Sequence, residues 1–364
     1  MIPLLANIEM KLRSPDLVSY HDELVVERAC YLARIGYFDE VEQTLKHLRS
    51  SPTFGSSARV AVLAMICDGL VLLFRDQSGG ARDRFLRAKV VAKSTQAEDL
   101  YRMASAWIAH IDFGAAAYED MATALQVCVG HNEAQGESAA LRAYIVAANA
   151  ATYIGAFDKA KQWYRIAHTK AVRSGDQVSI EAIIYNRTVF RLGRARVMRC
   201  LGVEDASAAF ISMEVSSAAA YYAAVGYKSL NHLILAIQAR VSMFLGHFAD
   251  AIPRFEALVD SGKKVSFEPD QLMLELELAA CRAKLGVSNE DPSDWRGISL
   301  DAISKLDPDD RLLCIDVLRS LLEAGVRIDF LGADLRSEFE SAVLGYEEEV
   351  RRVSRALSTV SFDN

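Results

Sequence analysis

The sequence has little proline and no long apolar run, and both absences limit what the chain can be. Only 7 of its 364 residues are proline, so long helices meet few breaks. The most apolar window, Val60 to Phe74, is interrupted by Asp68 and Gly69, and it is shorter than the roughly 20 residues of a membrane helix. The N-terminus lacks a basic start followed by an apolar run, so no signal peptide is predicted. We therefore expect a cytoplasmic protein with buried helices.

Motifs of redox, metal and catalytic chemistry are also missing. The six cysteines form no CxxC pair, so buried free thiols are expected rather than a disulfide framework. The seven histidines form no HExxH element, and the sequence has no P-loop and no GxSxG elbow. His110 and Asp112 come nearest to a catalytic dyad, but side chains two positions apart diverge on a helix. The sequence predicts neither an enzyme nor a cofactor or metal.

Charge argues against nucleic acid as the main partner. The formal net charge is −7 and the pI is about 5.6, so no bulk attraction to nucleic acid or anionic lipid is expected. Two basic clusters, in 82–93 and 191–199, are interpreted as solvated helix faces, with an acidic peptide or nucleic acid as alternative partners. RNA recognition would need exposed aromatics beside them, and the neighbouring Phe85 and Phe190 fit core positions.

A short pattern recurs where helical stretches meet. Three segments read Gly-x-Phe-x-x-small and begin at Gly36, Gly155 and Gly246. A glycine in the left-handed conformation ends the first helix, the aromatic packs back between the two helices, and the small residue lets them approach closely. The pattern predicts tight helix–turn–helix units.

Weaker turn signals fall between these three, at Gly79, Gly114, Gly193 and Gly286. Together the seven glycines are spaced by about 42 residues on average, which indicates about seven units. The longest interval, between Gly193 and Gly246, has room for an additional helix.

These units resemble the tetratricopeptide repeat, in which a glycine, an aromatic and an alanine occupy the same offsets. Leu45, Tyr164 and Phe255 supply the large apolar residue nine positions after each strong glycine. The departures are an alanine where the family has an earlier glycine, the absence of its tryptophan, and a repeat longer than about 34 residues. The resemblance covers roughly residues 16 to 290 and implies an all-α fold, a right-handed α-solenoid of about seven tetratricopeptide-like repeats.

The end of the chain follows another pattern. A polar stretch at 288–297 is interpreted as a linker, which divides the chain into a solenoid, 1–290, and a C-terminal helical cap, 291–364. Asp307 to Asp310 should cap a helix that ends at Gly325. A final helix, from about 332 to 357, carries an apolar stripe near heptad spacing. The stripe either closes the last repeat or forms a homodimer seam, whose residues would be Leu335, Phe339, Tyr346, Val350, Val353 and Leu357.

The tetratricopeptide family binds its partners in a concave groove lined by the first helix of each pair. Its groove offsets imply the residues Tyr101, Arg142, Asn149, Asn186, Arg187 and Arg240. Asparagine can bridge the backbone groups of an extended peptide, and arginine can bind a carboxylate. We therefore expect a non-enzymatic scaffold or adaptor for a protein or peptide of acidic character. The alternative for these side chains is pairing with acids on neighbouring helices.

Two other functions fit the same architecture. A peptide- or ligand-sensing regulator ranks second, because the repeats begin by about residue 20 and leave no room before them for an effector domain. A nucleic-acid-binding helical repeat ranks last because of the acidic net charge. No membrane partner is expected.

Overall fold

The computed structural model describes residues 3–51, 54–76, 80–129, 137–203, 208–225, 231–260, 271–287, 303–326 and 335–362. Within these ranges the chain forms sixteen α-helices, two short 3-10 helices and no β-strand. The predicted all-α class is therefore confirmed. The abundance of helix-forming residues and the scarcity of proline account for it.

The sixteen α-helices are numbered in chain order. They are α1 (Leu4–Leu12), α2 (His21–Arg34), α3 (Phe38–Ser50), α4 (Ala58–Asp76), α5 (Gly80–Ser94), α6 (Glu98–Gly114), α7 (Tyr118–Cys128), α8 (Glu137–Tyr153), α9 (Phe157–Ser174), α10 (Gln177–Cys200), α11 (Ala208–Val225), α12 (Asn231–Phe244), α13 (Phe248–Asp260), α14 (Gln271–Lys284), α15 (Pro308–Glu323) and α16 (Leu335–Ser358). The 3-10 helices are Pro15–Tyr20 and Phe54–Ser56. Helix α11 is the additional helix expected before Gly246.

The chain divides into two compact units. Unit 1 comprises Met1–Ile184 with Val353–Asn364, and unit 2 comprises Tyr185–Arg352. The division falls within α10 and α16. The linker and domain boundary predicted near residue 290 lie outside the described residues, so that boundary stays a prediction.

Helices pack in two ways in unit 1. Each helix packs against the next as a pair, α2 with α3, α4 with α5, α6 with α7 and α8 with α9, and the first helices α2, α4, α6 and α8 also pack on one another in succession. In unit 2, α12, α13 and α14 pack in sequence, and α15 packs on α14.

Alanine makes the close packing of unit 1 feasible. Along α8, Ala143, Ala147, Ala148, Ala150 and Ala151 are all fully buried, so the helix is enclosed nearly all round. Small side chains let its backbone approach its neighbours, and larger residues such as Phe85, fully buried on α5, fill the remaining space.

The three strong turn signals are confirmed. Gly36, Gly155 and Gly246 have φ values of 88°, 80° and 78°, the left-handed region that glycine tolerates best. In each case the aromatic two positions later begins the next helix, at α3, α9 and α13. The small residues Val41, Ala160 and Ala251 are buried.

The weaker signals have mixed outcomes. Gly286 takes the left-handed conformation (φ 69°), and Gly325 ends α15 with φ 83°. Gly114 lies at the end of α6, but the left-handed residue of that turn is Ala116 (φ 53°). Gly79 lies outside the described residues.

The turn predicted at Gly193 is wrong, because this residue lies inside α10. The chain turns instead at Gly175 and Gly202, which have φ values of 69° and 73°. Asp176 follows Gly175 and accepts a hydrogen bond from the backbone N–H of Ser179 (Oδ1–N, 3.1 Å). The carboxylate of Asp176 therefore bonds a free backbone N–H at the start of α10, whereas the repeat pattern required an aromatic residue at this turn.

Candidate functional site

Unit 1 contains a cavity of about 640 Å³. Its walls come from α1, α2, α4, α6 and α8, from Ser179 at the start of α10 and from the turns before α6 and α10. The described lining includes no residue of α3, α5, α7 or α9. The volume lies within the range of about 300–1,000 Å³ that is common for ligand sites. The charged lining residues are Glu27, Arg34, Arg59, Glu98, Asp99, Glu137, Arg142 and Asp176.

A buried ion pair holds one side of the cavity. Arg34 of α2 donates from Nη1 and Nη2 to the two carboxylate oxygens of Asp176, at 3.0 and 3.1 Å, and Nη2 also donates to Ser179 Oγ at 2.9 Å. Burial alone raises the pKa of Asp176, but Arg34 and Ser179 outweigh it, so the pKa is lowered. The pair is therefore charged, and it joins α2 to the start of α10.

A second arginine links the first helices of three successive pairs. Arg59 of α4 donates from Nε to Glu23 of α2 at 2.9 Å, and from Nη1 to Asp99 of α6 at 2.8 Å. Burial alone raises the pKa of Asp99, yet Arg59 lowers it below its ordinary value. Like Arg34, Arg59 is neutralised by carboxylates of its own chain.

The third cavity arginine, Arg142 of α8, is held differently. Its side chain is only 6% exposed, and its guanidinium carbon lies 4.1 Å from the centre of the Trp107 ring. His110 meets the same ring edge-on, with the ring centres 5.8 Å apart. Burial, with a contribution from the charge of Arg142, lowers the pKa of His110 to about 3, so the imidazole is neutral and adds no second positive charge beside Arg142.

Glu27 contributes an acid to the same cavity. It is half-buried and lines the wall formed by α2. Burial raises its pKa, and the charges of Lys11 and Arg59 oppose this shift. The cavity thus combines paired arginines with one cation stacked on an aromatic ring and one partly desolvated acid.

Of the groove residues implied by the resemblance, Arg142 is the one that lines this cavity. Asn149 is buried between α8 and α9, where its Oδ1 accepts a hydrogen bond from the hydroxyl of Tyr164 at 2.7 Å. Tyr101 lies on a second, shallower pocket of unit 1 with Gln126 and Thr359.

The remaining groove residues belong to unit 2. Arg240 donates from Nε to Glu277 Oε2 at 2.9 Å, and Arg187 lies 3.4 Å from Glu214. Asn186, next to Arg187 on α10, is half-buried. For both arginines the alternative stated above holds, because they pair with acids on neighbouring helices. Their contact with a partner stays a prediction.

The apolar stripe of α16 is largely used inside the chain. Tyr346, Val353 and Leu357 are buried, whereas Leu335, Phe339 and Val350 are half-buried. The Phe339 ring lies under the guanidinium of Arg319, 4.7 Å from the ring centre. Val353 and Leu357 belong to the core of unit 1. The cap on the last repeat and the dimer seam both stay predictions.

Sequence reasoning missed Trp107, Arg34, Arg59 and Asp176. Trp107 is buried by Phe85, whose ring stacks on it at 6.0 Å between centres, and by Phe74. The dipeptide Gly175–Asp176 was the one sequence signal for a helix boundary here, since Asp is a preferred N-cap residue. The repeat pattern gave no reason to place that turn in the cavity wall.

The remaining features add little chemistry. All six cysteines are free; five are buried, and burial raises the pKa of Cys128 to about 12. No group of three or more potential metal ligands occurs among the described residues. Over the same part of the chain, every helix is too short or too polar to cross a membrane.

Comparison with known proteins gives no match. No protein-family model, no curated protein and no solved structure is similar to this chain.

Proposed function

We propose that the chain is a right-handed α-solenoid of about seven tetratricopeptide-like repeats, and that it acts as a non-enzymatic scaffold or adaptor. Its ligand is an extended segment of a cytoplasmic protein or peptide, bound in the cavity of unit 1. The main support for the proposal is which helices supply the residues that line the cavity. One helix from each of four successive pairs faces the cavity, and the second helix of each pair stays out of it.

The chemistry of the cavity supports a peptide. An extended chain presents backbone groups and alternating side chains, and the lining offers both polar and apolar partners. Leu63, Leu100, Met103 and Trp107 supply apolar contact area. The charged groups lie around them, so a segment with both apolar and charged residues would be matched.

The test is a peptide selection with two matched variants. Peptides selected from a random library on the wild-type chain should lose binding when Met103, which lines the cavity, is changed to Trp. They should keep it when Val90, 68% exposed on α5, is changed to Trp. Circular dichroism checks that both variants fold. Peptides that bind both variants equally, or a library that yields no binder, would contradict the proposal.

A second candidate is a peptide- or ligand-sensing regulator, and α1 is the observation that favours it. Leu4 and Ile8 of α1 line the cavity, and the Leu4 backbone N–H donates to the Gly175 carbonyl at 2.9 Å. A helix of 9 residues is marginal by itself, so α1 is the lining element that a ligand could displace most easily. Hydrogen exchange in residues 4–12 should then change when a selected peptide binds. Unchanged exchange would favour the scaffold.

A further inference from the structure

One of the three cavity arginines lacks an anionic partner among the described residues. Arg34 is neutralised by Asp176, and Arg59 by Asp99 and Glu23. Arg142 is the most enclosed of the three at 6% exposure. Within the described part of the chain, its guanidinium forms no ion pair or hydrogen bond, and it lies over the face of the Trp107 ring.

The surroundings of Arg142 do not replace an anion. The ring of Trp107 attracts the cation, but this attraction is smaller than the desolvation penalty of a buried, uncompensated charge. Burial first, and then the charge of Arg34, lowers the pKa of Arg142, whereas Asp176 raises it. The guanidinium is fixed in place by a rigid aromatic ring and still has its N–H donors to offer.

We propose that Arg142 is the anion receptor of the cavity and binds a carboxylate of the ligand in bidentate fashion. The proposal deepens the function proposed above and rests on it for the position of the ligand. The planar fork of a guanidinium matches a carboxylate with two parallel N–H···O bonds. Stacking on Trp107 preorganises that fork, so little side-chain freedom is lost on binding.

The ion pairs of the cavity wall leave one arginine over. Apart from Glu27, each carboxylate of the lining pairs with an arginine: Asp176 with Arg34, Asp99 with Arg59, Glu98 with Arg102 and Glu137 with Arg173. Arg142 is the lining cation that makes no ion pair within the described residues, so a carboxylate balances its charge, whereas a dianionic phosphate would add a second, unbalanced negative charge. The neighbouring apolar residues favour a carboxylate joined to an apolar group. Both the C-terminal residue of a peptide and a small organic acid have this chemistry.

The experiment compares probes that differ at the carboxylate. We would titrate the chain with N-acetyl-Ala-Ala-Leu as the free acid, with the same tripeptide as its carboxamide, and with hexanoate. The acid should bind at least about tenfold more tightly than the amide, because a charge-assisted bidentate contact is lost in the amide. Hexanoate binding as tightly as the tripeptide acid would assign the site to small organic acids. Much weaker hexanoate binding would assign it to a peptide C-terminus.

Three variants separate recognition from folding. In Arg142→Gln the ratio of acid to amide affinity should fall to about one, and in Arg142→Lys it should be intermediate, because a lysine keeps the charge and loses the fork. Arg165→Gln, which removes the same charge from an exposed position on α9, should leave the ratio unchanged. If Arg142→Gln does not fold, Arg142→Lys provides the test.

The outcomes distinguish this inference from the proposed function. Equal binding of acid and amide to the wild type, or no binding of either carboxylate probe at millimolar concentration, overturns the inference. If selected peptides bind the cavity but ignore both their C-terminal group and Arg142, the peptide-binding function stands and the receptor role fails. If hexanoate binds through Arg142 while no peptide can be selected, the receptor role stands and the peptide-binding function fails.

Discussion

Replacing Glu277 by alanine removes the anion that two arginines share in unit 2. Glu277 is fully buried on α14. Its Oε1 accepts from Arg196 Nη2 at 2.6 Å, and its Oε2 accepts from Arg240 Nε at 2.9 Å. Burial alone raises the pKa of Glu277, but Arg240 and Arg196 outweigh it and lower the pKa. The carboxylate is therefore ionised in the folded state.

The size of the effect follows from what remains after the change. Arg196 would stay buried without its anion, and Arg240 would lose its carboxylate partner. Removing one partner of a buried ion pair destabilises a protein by about 3–5 kcal/mol. We expect Glu277→Ala to lower the free energy of unfolding of unit 2 by about that amount. Because the pKa of Glu277 is lowered, the stabilisation is present at neutral pH and is lost as the pH falls below the ordinary carboxyl range.

Urea denaturation followed by circular dichroism measures the loss, and the control is Glu323→Ala. Glu323 is 62% exposed and lies 3.6 Å from Lys284, a surface pair that should contribute no more than about 1 kcal/mol. The same comparison tests whether the ion pair of Arg240 with Glu277 stabilises the fold, although the sequence analysis placed Arg240 in a partner-binding groove. If Glu277→Ala and Glu323→Ala unfold at the same urea concentration, the buried cluster does not stabilise unit 2 and this reasoning is refuted.

Three further predictions concern stability. Burial raises the pKa of Glu181 to about 7, so its ionisation opposes folding as the pH rises from 5 to 8. Over that pH range Glu181→Gln should become more stable than the wild type, by on the order of 1–3 kcal/mol. Equal melting curves of the two proteins at pH 8 would contradict this prediction. Gly246→Ala should destabilise by about 1–2 kcal/mol because φ at this position is 78°; the space around the new Cβ is open, so no clash contributes. Gly193→Ala lies inside a helix with equally open space, so it should stabilise by about 0.5–1 kcal/mol. Thermal melts with the opposite order of stability would indicate a turn at Gly193. Gly69→Ala should destabilise by about 1–3 kcal/mol, since the new methyl group would lie 2.8 Å from the Phe85 ring, and Phe85→Leu should recover part of the loss in a double-mutant melt.

Local signals in the sequence predicted the helices and the strong turns. Gly36, Gly155 and Gly246 were recognisable because a left-handed glycine, an aromatic and a small residue occur together, and each has its own physical role. The turn prediction at Gly193 was wrong because a lone glycine is also tolerated inside a helix. Gly175 was missed because Asp176 caps α10 in place of an aromatic residue.

The candidate site was less predictable, since its contacts are distant in sequence. Arg34 and Asp176 are separated by 142 positions, and no local pattern links them. Arg142 was found through a repeat offset, but that offset could not show that Trp107 lies beneath it. The same offsets selected Asn149 and Arg240, whose hydrogen bonds and ion pairs are made within the chain. Offsets predict which face of a helix a residue occupies, and only the packed structure shows what it meets there.

The central claim is that the cavity of unit 1 receives the ligand, and site-specific photocrosslinking tests it most directly. A photoreactive phenylalanine would replace Ser138, an exposed residue at the cavity wall, or Thr169, an exposed residue on α9 away from the lining. With a selected peptide, we predict a crosslink from position 138 that excess unlabelled peptide abolishes, and none from position 169. A crosslink from position 169 without one from 138 would contradict the account.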